Sequence, residues 1–232
     1  MNFQSRPDVV QQGQTVLMND VIKKAYLLVG VSFLPTILGA LIGMANIQAI
    51  FNLIVKSPIL FFVGHMIAFY GLCFMIEKNR DNTLGVVLML GFTFLMGVML
   101  APLLTIAMKS SNGANLIMTA AGGTGALFIA LAALGSDKTR DFSFLGKFVG
   151  ISVLILMATI VLNVLFLKMP VMNLIISAVI IPLSGAIIVY RINDAARGGE
   201  TSHVSLALDL YIGIYNIFSA LLRLLIAFTG ND

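Results

Sequence analysis

Seven long apolar runs leave this chain few choices of fold. They lie at roughly residues 25–47, 57–77, 83–108, 114–135, 145–167, 170–190 and 204–228. A helix of about 20 apolar residues crosses a hydrocarbon core of about 30 Å. The runs are continuous rather than alternating, which points to helices and away from a barrel. Short breaks separate them and carry charge, Gly, Pro or Asn: Asn46 to Ser57, Glu77 to Asn82, Lys109 to Gly113, Asp137 to Ser143, Lys168 to Pro170 and Arg191 to Ser202. The expected architecture is all-α and integral to a membrane. A bundle of seven transmembrane helices fills residues 23–232, behind a polar cytoplasmic tail at 1–22. Only 10% of the residues are charged, against about 25% in an average globular chain, too few to cover a water-facing surface. Lipid must supply most of the solvent.

The tail, with Gln4, Gln11, Gln12 and Gln14, is too polar for a secretory signal. The run behind it is too long for a signal core, so the first span is expected to stay as an anchor. Basic residues set the orientation. With the N-terminus in the cytoplasm, that side holds Arg6, Lys23, Lys24, Lys78, Arg80, Lys138, Arg140, Lys147, Arg191 and Arg197. The far side holds Lys56, Lys109, Lys168 and Arg223. Ten against four predicts N-in, C-out. Scattered in ones and twos, these charges form no nucleic-acid-binding patch. The single cysteine, Cys73, excludes an intrachain disulfide.

Small residues mark where helices approach closely. Gly39 and Gly43 make a small-xxx-small pair in the first span, Gly91 and Gly97 dent the third, and Ala120 to Gly125 form a small run in the fourth. Pro35, Pro102 and Pro182 lie inside spans and serve either helix shape or hinges.

Ionisable groups within a span cost about 2.5–3.5 kcal/mol at its centre by insertion scales, and they usually face the bundle interior. Asp209 is the clearest case. Asn216 follows it by seven residues and Arg223 by seven more, so the three share one stripe of the last helix, about 21 Å long. Leu206, Leu210 and Phe218 are expected on an opposite, lipid-facing side. Two readings of Asp209 stand: a structural hydrogen-bond partner, or the lining of an ion or proton path. His65, near the middle of the second span, is either part of such a path or a hydrogen-bonded interior histidine. Asn163 in the fifth is expected to act as interhelical glue. Arg191, Asp194 and Arg197 cluster at the end of the sixth span, with Glu200 and His203 close behind. Arg191 and Asp194 are three apart and can meet on one helix face. An Arg191–Asp209 pair across the last two helices would make a gate latch.

No catalytic constellation is visible, and with only two histidines, His65 and His203, neither an enzyme nor a cofactor is expected. A stable calcium cage needs six to eight oxygens. Asp209 alone would hold such an ion only transiently.

The stretch Gly185 to Arg223, with Gly198-Gly199-Glu200-Thr201 and the pattern Leu210, Tyr211, Tyr215 to Phe218, resembles the closing region of the Bax inhibitor-1 family, nearest its bacterial YccA-type branch. Arg140 to Gly146, Ala101-Pro102-Leu103 and Gly122-Gly123-Thr124 match in order and spacing. The resemblance implies a seven-helix bundle with a central last helix in the bacterial inner membrane. It implies a pH-sensitive cation leak, chiefly of calcium, and, for the YccA branch, restraint of the membrane protease FtsH. It further implies two facing acids, one ending the sixth span and one in the seventh, beside a basic residue. Asp209 matches the seventh-span acid. Arg191 stands where the other acid falls; Asp194, one turn on, replaces it, or Arg191 clamps Asp209. Arg80 is the counterpart of the basic residue. Lipid, calcium or protons, and FtsH are thus the expected partners.

Overall fold

The computed structural model describes the backbone of residues 7–229 and the side chains of residues 20–229. Within that range the chain runs through α1 (Pro7–Ala45), α2 (Ile47–Lys56), α3 (Pro58–Lys78), α4 (Thr83–Met108), α5 (Gly113–Gly135), α6 (Ser143–Leu162, continued by a π-turn over Asn163–Leu167), α7 (Pro170–Ala196) and α8 (His203–Thr229). Seven of these are long and apolar enough to cross a membrane, beginning with Asp20–Ala45 of α1. The seven expected spans are therefore present.

Three boundaries differ from the sequence-based expectation. No break separates the tail from the first span: α1 is continuous from Pro7, and the Asp20–Lys24 ion pair (2.6 Å) bridges the expected boundary. Residues 1–6 of the tail lie outside the described residues. The break from Asn46 to Ser57 is mostly the helix α2. Ten residues rise only about 15 Å, too short to span. Its stripe of Ile47, Ile50, Phe51 and Ile54 is half-buried while Gln48, Asn52 and Lys56 are exposed, the pattern of a helix lying in a membrane interface. Third, α7 continues past residue 190 to Ala196, carrying Arg191 and Asp194 on the helix.

α8 sits in the middle, packed against α1, α3, α4, α5 and α7, while α6 lies outermost against α7. The expected lipid face of α8 is accordingly absent: Leu206 and Leu210 are fully buried in the main core, and Phe218 packs partly buried in a second cluster. Tyr211 is at the crossing of three helices. Its hydroxyl pairs with Thr36 Oγ1 of α1 (2.8 Å) and donates to the Thr93 carbonyl of α4 (3.4 Å).

α1 and α4 meet backbone to backbone. A Cβ added at Gly39 would lie 2.1 Å from the Phe94 carbonyl oxygen, and one at Gly97 would lie 2.0 Å from that of Thr36. A Cβ at Gly43 would lie 2.7 Å from Ala101 Cβ and 3.0 Å from the Val98 carbonyl oxygen. In lipid, where helices gain nothing from hydrophobic association, such approach supplies the packing. Gly91, Gly122 and Gly125 face open space and make no such contact.

Two asparagines close loops. Asn163 bonds across to α7, as expected of interhelical glue, at the point where the chain turns from α6 into α7. Its Oδ1 accepts from the Met169 amide (3.0 Å), its Nδ2 donates to Asn173 Oδ1 (2.7 Å), and Lys168 takes the left-handed conformation at φ 51°. Asn193 of α7, fully enclosed, ties down the α5–α6 loop. Its Nδ2 is shared among the carbonyls of Gly135, Asp137 and Arg140 (3.1–3.2 Å), and its Oδ1 accepts from the Phe142 amide (3.2 Å). Within that loop, bonds from the Thr139 and Ser143 hydroxyls and amides hold the Asp137 and Asp141 carboxyls below their ordinary range.

Gly97→Ala should lower stability by about 1–3 kcal/mol through overpacking, seen as a lower unfolding temperature in detergent. Gly91→Ala, in open space, should stay within about 0.5 kcal/mol of the parent.

Candidate functional site

The site grows out of the turn between α7 and α8. α7 ends on a Gly-Gly pair: Gly198 takes φ 88°, and the Gly199 amide donates back to the Asp194 carbonyl (2.9 Å). This left-handed cap suits glycine. Gly199 has a second constraint, because a Cβ there would lie 2.1 Å from Asp194 Oδ1. The tight reversal turns Glu200 inward, where only 7% of it is exposed. Its Oε1 accepts from the amides of Thr201 (2.9 Å) and Ser202 (2.8 Å). Ser202 then caps α8, accepting from the Ser205 amide (3.3 Å) while its hydroxyl donates to the Arg80 carbonyl (3.0 Å).

Arg191 is the centre of the resulting charge network. Its Nε lies 2.5 Å from Asp209 Oδ2, one Nη lies 3.2 Å from Glu200 Oε2, and the other reaches Asp194 at 3.9 Å. It also donates to the Ser205 hydroxyl (3.5 Å), which donates in turn to Glu77 Oε1 on α3 (2.7 Å). Arg80, just past α3, faces Glu77 (3.8 Å), Glu200 (3.9 Å) and Asp81 (3.9 Å). Two guanidiniums thus face five carboxylates, and Glu200 touches both arginines. The network binds the end of α3 to the α7–α8 turn.

Of the residues singled out in the sequence, Asp209, Arg191 and Asp194 come together here, with Arg191 of α7 paired to Asp209 of α8. The rest of the proposed path does not join them. Asn216 is half-buried farther along α8, where its carbonyl accepts from Ser219. Arg223, exposed, is about 21 Å along the axis from Asp209. His65 borders an apolar cleft of about 280 Å³ with Leu60, Phe61 and Met99, and its Nδ1 is enclosed without a hydrogen-bond partner among the described residues. Among those residues no three His, Cys, Asp or Glu side chains converge as metal ligands. The Asp209 carboxylate faces a guanidinium.

Sequence reasoning missed the weight of Glu77, Glu200 and Ser205, and missed Asn193 altogether. Each stands at a helix end, where polar residues read as solvated; only the folded turn reveals the partners. The pairing of Glu77 with Arg80, three apart, was the available signal.

A family model described as inhibitor of apoptosis-promoting Bax1 matches residues 18–230. The chain belongs to the Bax inhibitor-1 family. An uncharacterized protein of Neisseria meningitidis serogroup A is 39% identical over 218 residues, covering 94% of this chain and 95% of that one. A protein of Escherichia coli K12 named modulator of FtsH protease YccA is 32% identical over 167 residues, 72% of this chain and 75% of its own. An uncharacterized membrane protein of Vibrio cholerae is 30% identical over 219 residues, 94% of each chain. With its seven apolar helices, this Bax inhibitor-1 family member is a multi-pass protein of the bacterial inner membrane.

Arg191→Met should strand Asp209 and cost about 3–5 kcal/mol, while the double variant Arg191→Met/Asp209→Leu should recover most of the loss. Thermal unfolding of the four-member mutant cycle in detergent reads the coupling; additive effects would show that the pair carries none.

Proposed function

We propose that this chain is a YccA-type modulator, which binds an inner-membrane protease of the FtsH kind and restrains it without carrying out chemistry itself. The observation that carries this reading is the relationship to the E. coli protein named modulator of FtsH protease YccA, 32% identical over 72% of this chain. The geometry is compatible with work done by contact. α8 is enclosed by its neighbours, and Arg191 neutralises Asp209 at close range. The contact segment is the start of α1. Residues 7–19 continue the first span as helix for about 20 Å before Asp20, and the excess of basic residues on that side favours a cytoplasmic position. A tagged copy of the full chain should co-purify with FtsH from bacterial membranes and slow its turnover of a membrane substrate. Deleting residues 1–22 should weaken both effects. Absence of any complex rejects the partner, and undiminished binding after the deletion rejects the tail as the contact.

A second reading is a cation leak, held shut in this conformation by the Arg191–Asp209 latch. The excess of carboxylates over guanidiniums around Arg191 favours it, since cations would collect there once the latch opened. Reconstituted Arg191→Gln should then admit calcium into vesicles about tenfold faster than the parent, if the freed carboxylates gain about 1.4 kcal/mol in cation affinity. Asp209→Asn should alter the pH dependence of the flux. Equal, background flux from all three proteins would remove the reading.

A further inference from the structure

The two ends of the bundle differ in charge. Every described carboxylate lies at the end where α3, α5 and α7 finish and α4, α6 and α8 begin. The opposite end carries Lys56 at the close of α2, Lys109 after α4, Lys168 before α7 and Arg223 on α8, with no acidic side chain among the described residues. Three of these cations stand at helix ends. Arg223 does not: it lies six residues before the end of α8, about 9 Å inside it. Among the described residues, no hydrogen bond or ion pair engages its guanidinium. A cation at that depth needs an anion or must bend toward water.

Arg223 opens onto a cleft of about 220 Å³ between α4, α7 and α8. The walls are Leu103 and Ile106 from α4, Leu174 from α7 and Ile226 from α8. The polar lining is confined to Arg223, Asn173 and Ser177. Asn173 is held in place, because its Oδ1 accepts from Asn163 Nδ2 (2.7 Å) and its carbonyl from the Ser177 hydroxyl (2.8 Å). Its own side-chain N–H groups are thereby left as donors in the cleft lining that Asn173 shares with Arg223.

We propose that this cleft binds an anionic phospholipid of the bilayer, with its phosphodiester on Arg223 and Asn173 and one acyl chain along Ile106, Leu174 and Ile226. A guanidinium presents paired N–H donors that match two phosphate oxygens, and the pairing strengthens away from water. The apolar walls select a lipid over a free anion, since inorganic phosphate leaves them uncovered. Basic pockets between transmembrane helices bind anionic head groups on the same principle. The cationic end of the bundle draws such lipids toward the cleft.

Native mass spectrometry of the full chain, released from micelles with equal phosphatidylglycerol and phosphatidylcholine, tests this. The parent should retain phosphatidylglycerol in roughly tenfold preference, the ratio that a difference of about 1.4 kcal/mol produces. Arg223→Gln should lose the preference, Arg223→Lys should keep part of it, and Lys56→Gln, away from the cleft, should keep all of it. Ile106→Trp fills the cleft while leaving the guanidinium intact, and should expel the lipid as well. An undiminished preference in Arg223→Gln, or in Ile106→Trp, would overturn the proposal. So would displacement of phosphatidylglycerol by an equal concentration of inorganic phosphate, which would identify a simple anion site.

Discussion

Hydrocarbon offers no hydrogen bonds, so a carboxylate on the central helix of a membrane bundle has to find its partner within the protein. Asp209 is that carboxylate, and the organisation of the α7–α8 end follows from meeting its need. α7 extends beyond its apolar run so that Arg191 arrives on a helix, at 2.5 Å from Asp209. Arg191 in turn requires more than one acid to satisfy its fork. Glu200 and Asp194 supply the rest, and the Gly198–Gly199 reversal brings Glu200 back over the end of the helix. Through Glu200 and Ser205 the network reaches Arg80 and Glu77, so the charge on one helix ties down the end of another.

Away from that end the bundle is held by shape. α1 and α4 touch through carbonyls because Gly39 and Gly97 carry no side chain. Their closeness lets Tyr211 reach both helices from α8 with a single hydroxyl. Tyr211 thus joins the central helix to two of its neighbours in the middle of the bundle, as Arg191 joins it to α7 at the charged end. Among the described residues the other end of the bundle holds no ion pair: Lys56, Lys109, Lys168 and Arg223 meet no carboxylate there.

The fold was legible in the sequence to the extent that length and hydropathy decide it. Seven runs of spanning length became seven helices, and Gly39, Gly43 and Gly97 were correctly read as close contacts. α2 was read as a loop because ten residues cannot span, although ten suffice for an amphipathic helix at an interface. The lipid face assigned to α8 failed for a related reason. Leu206 and Leu210 are as apolar as residues that meet lipid, and in a membrane protein hydropathy does not distinguish lipid contact from helix contact. The site was half legible. Asp209 and Arg191 stood out because charge in a span is rare; Glu77, Glu200 and Asn193 did not, because charge and amide groups at helix ends are common.

By itself, the sequence determined that this chain crosses a bilayer seven times and that Asp209 belongs on the interior of the bundle, as a structural partner or as the lining of a path. Both follow from the cost of placing polar groups in hydrocarbon, which depends on composition and spacing along the chain. Only the tertiary structure decided that Arg191 pairs with Asp209, that Glu200 joins it to Arg80, and that Asn216 and Arg223 stand apart. Those outcomes depend on which helix is central and how the α7–α8 turn closes. Side chains 18 residues apart, such as Arg191 and Asp209, meet only when the fold brings them together.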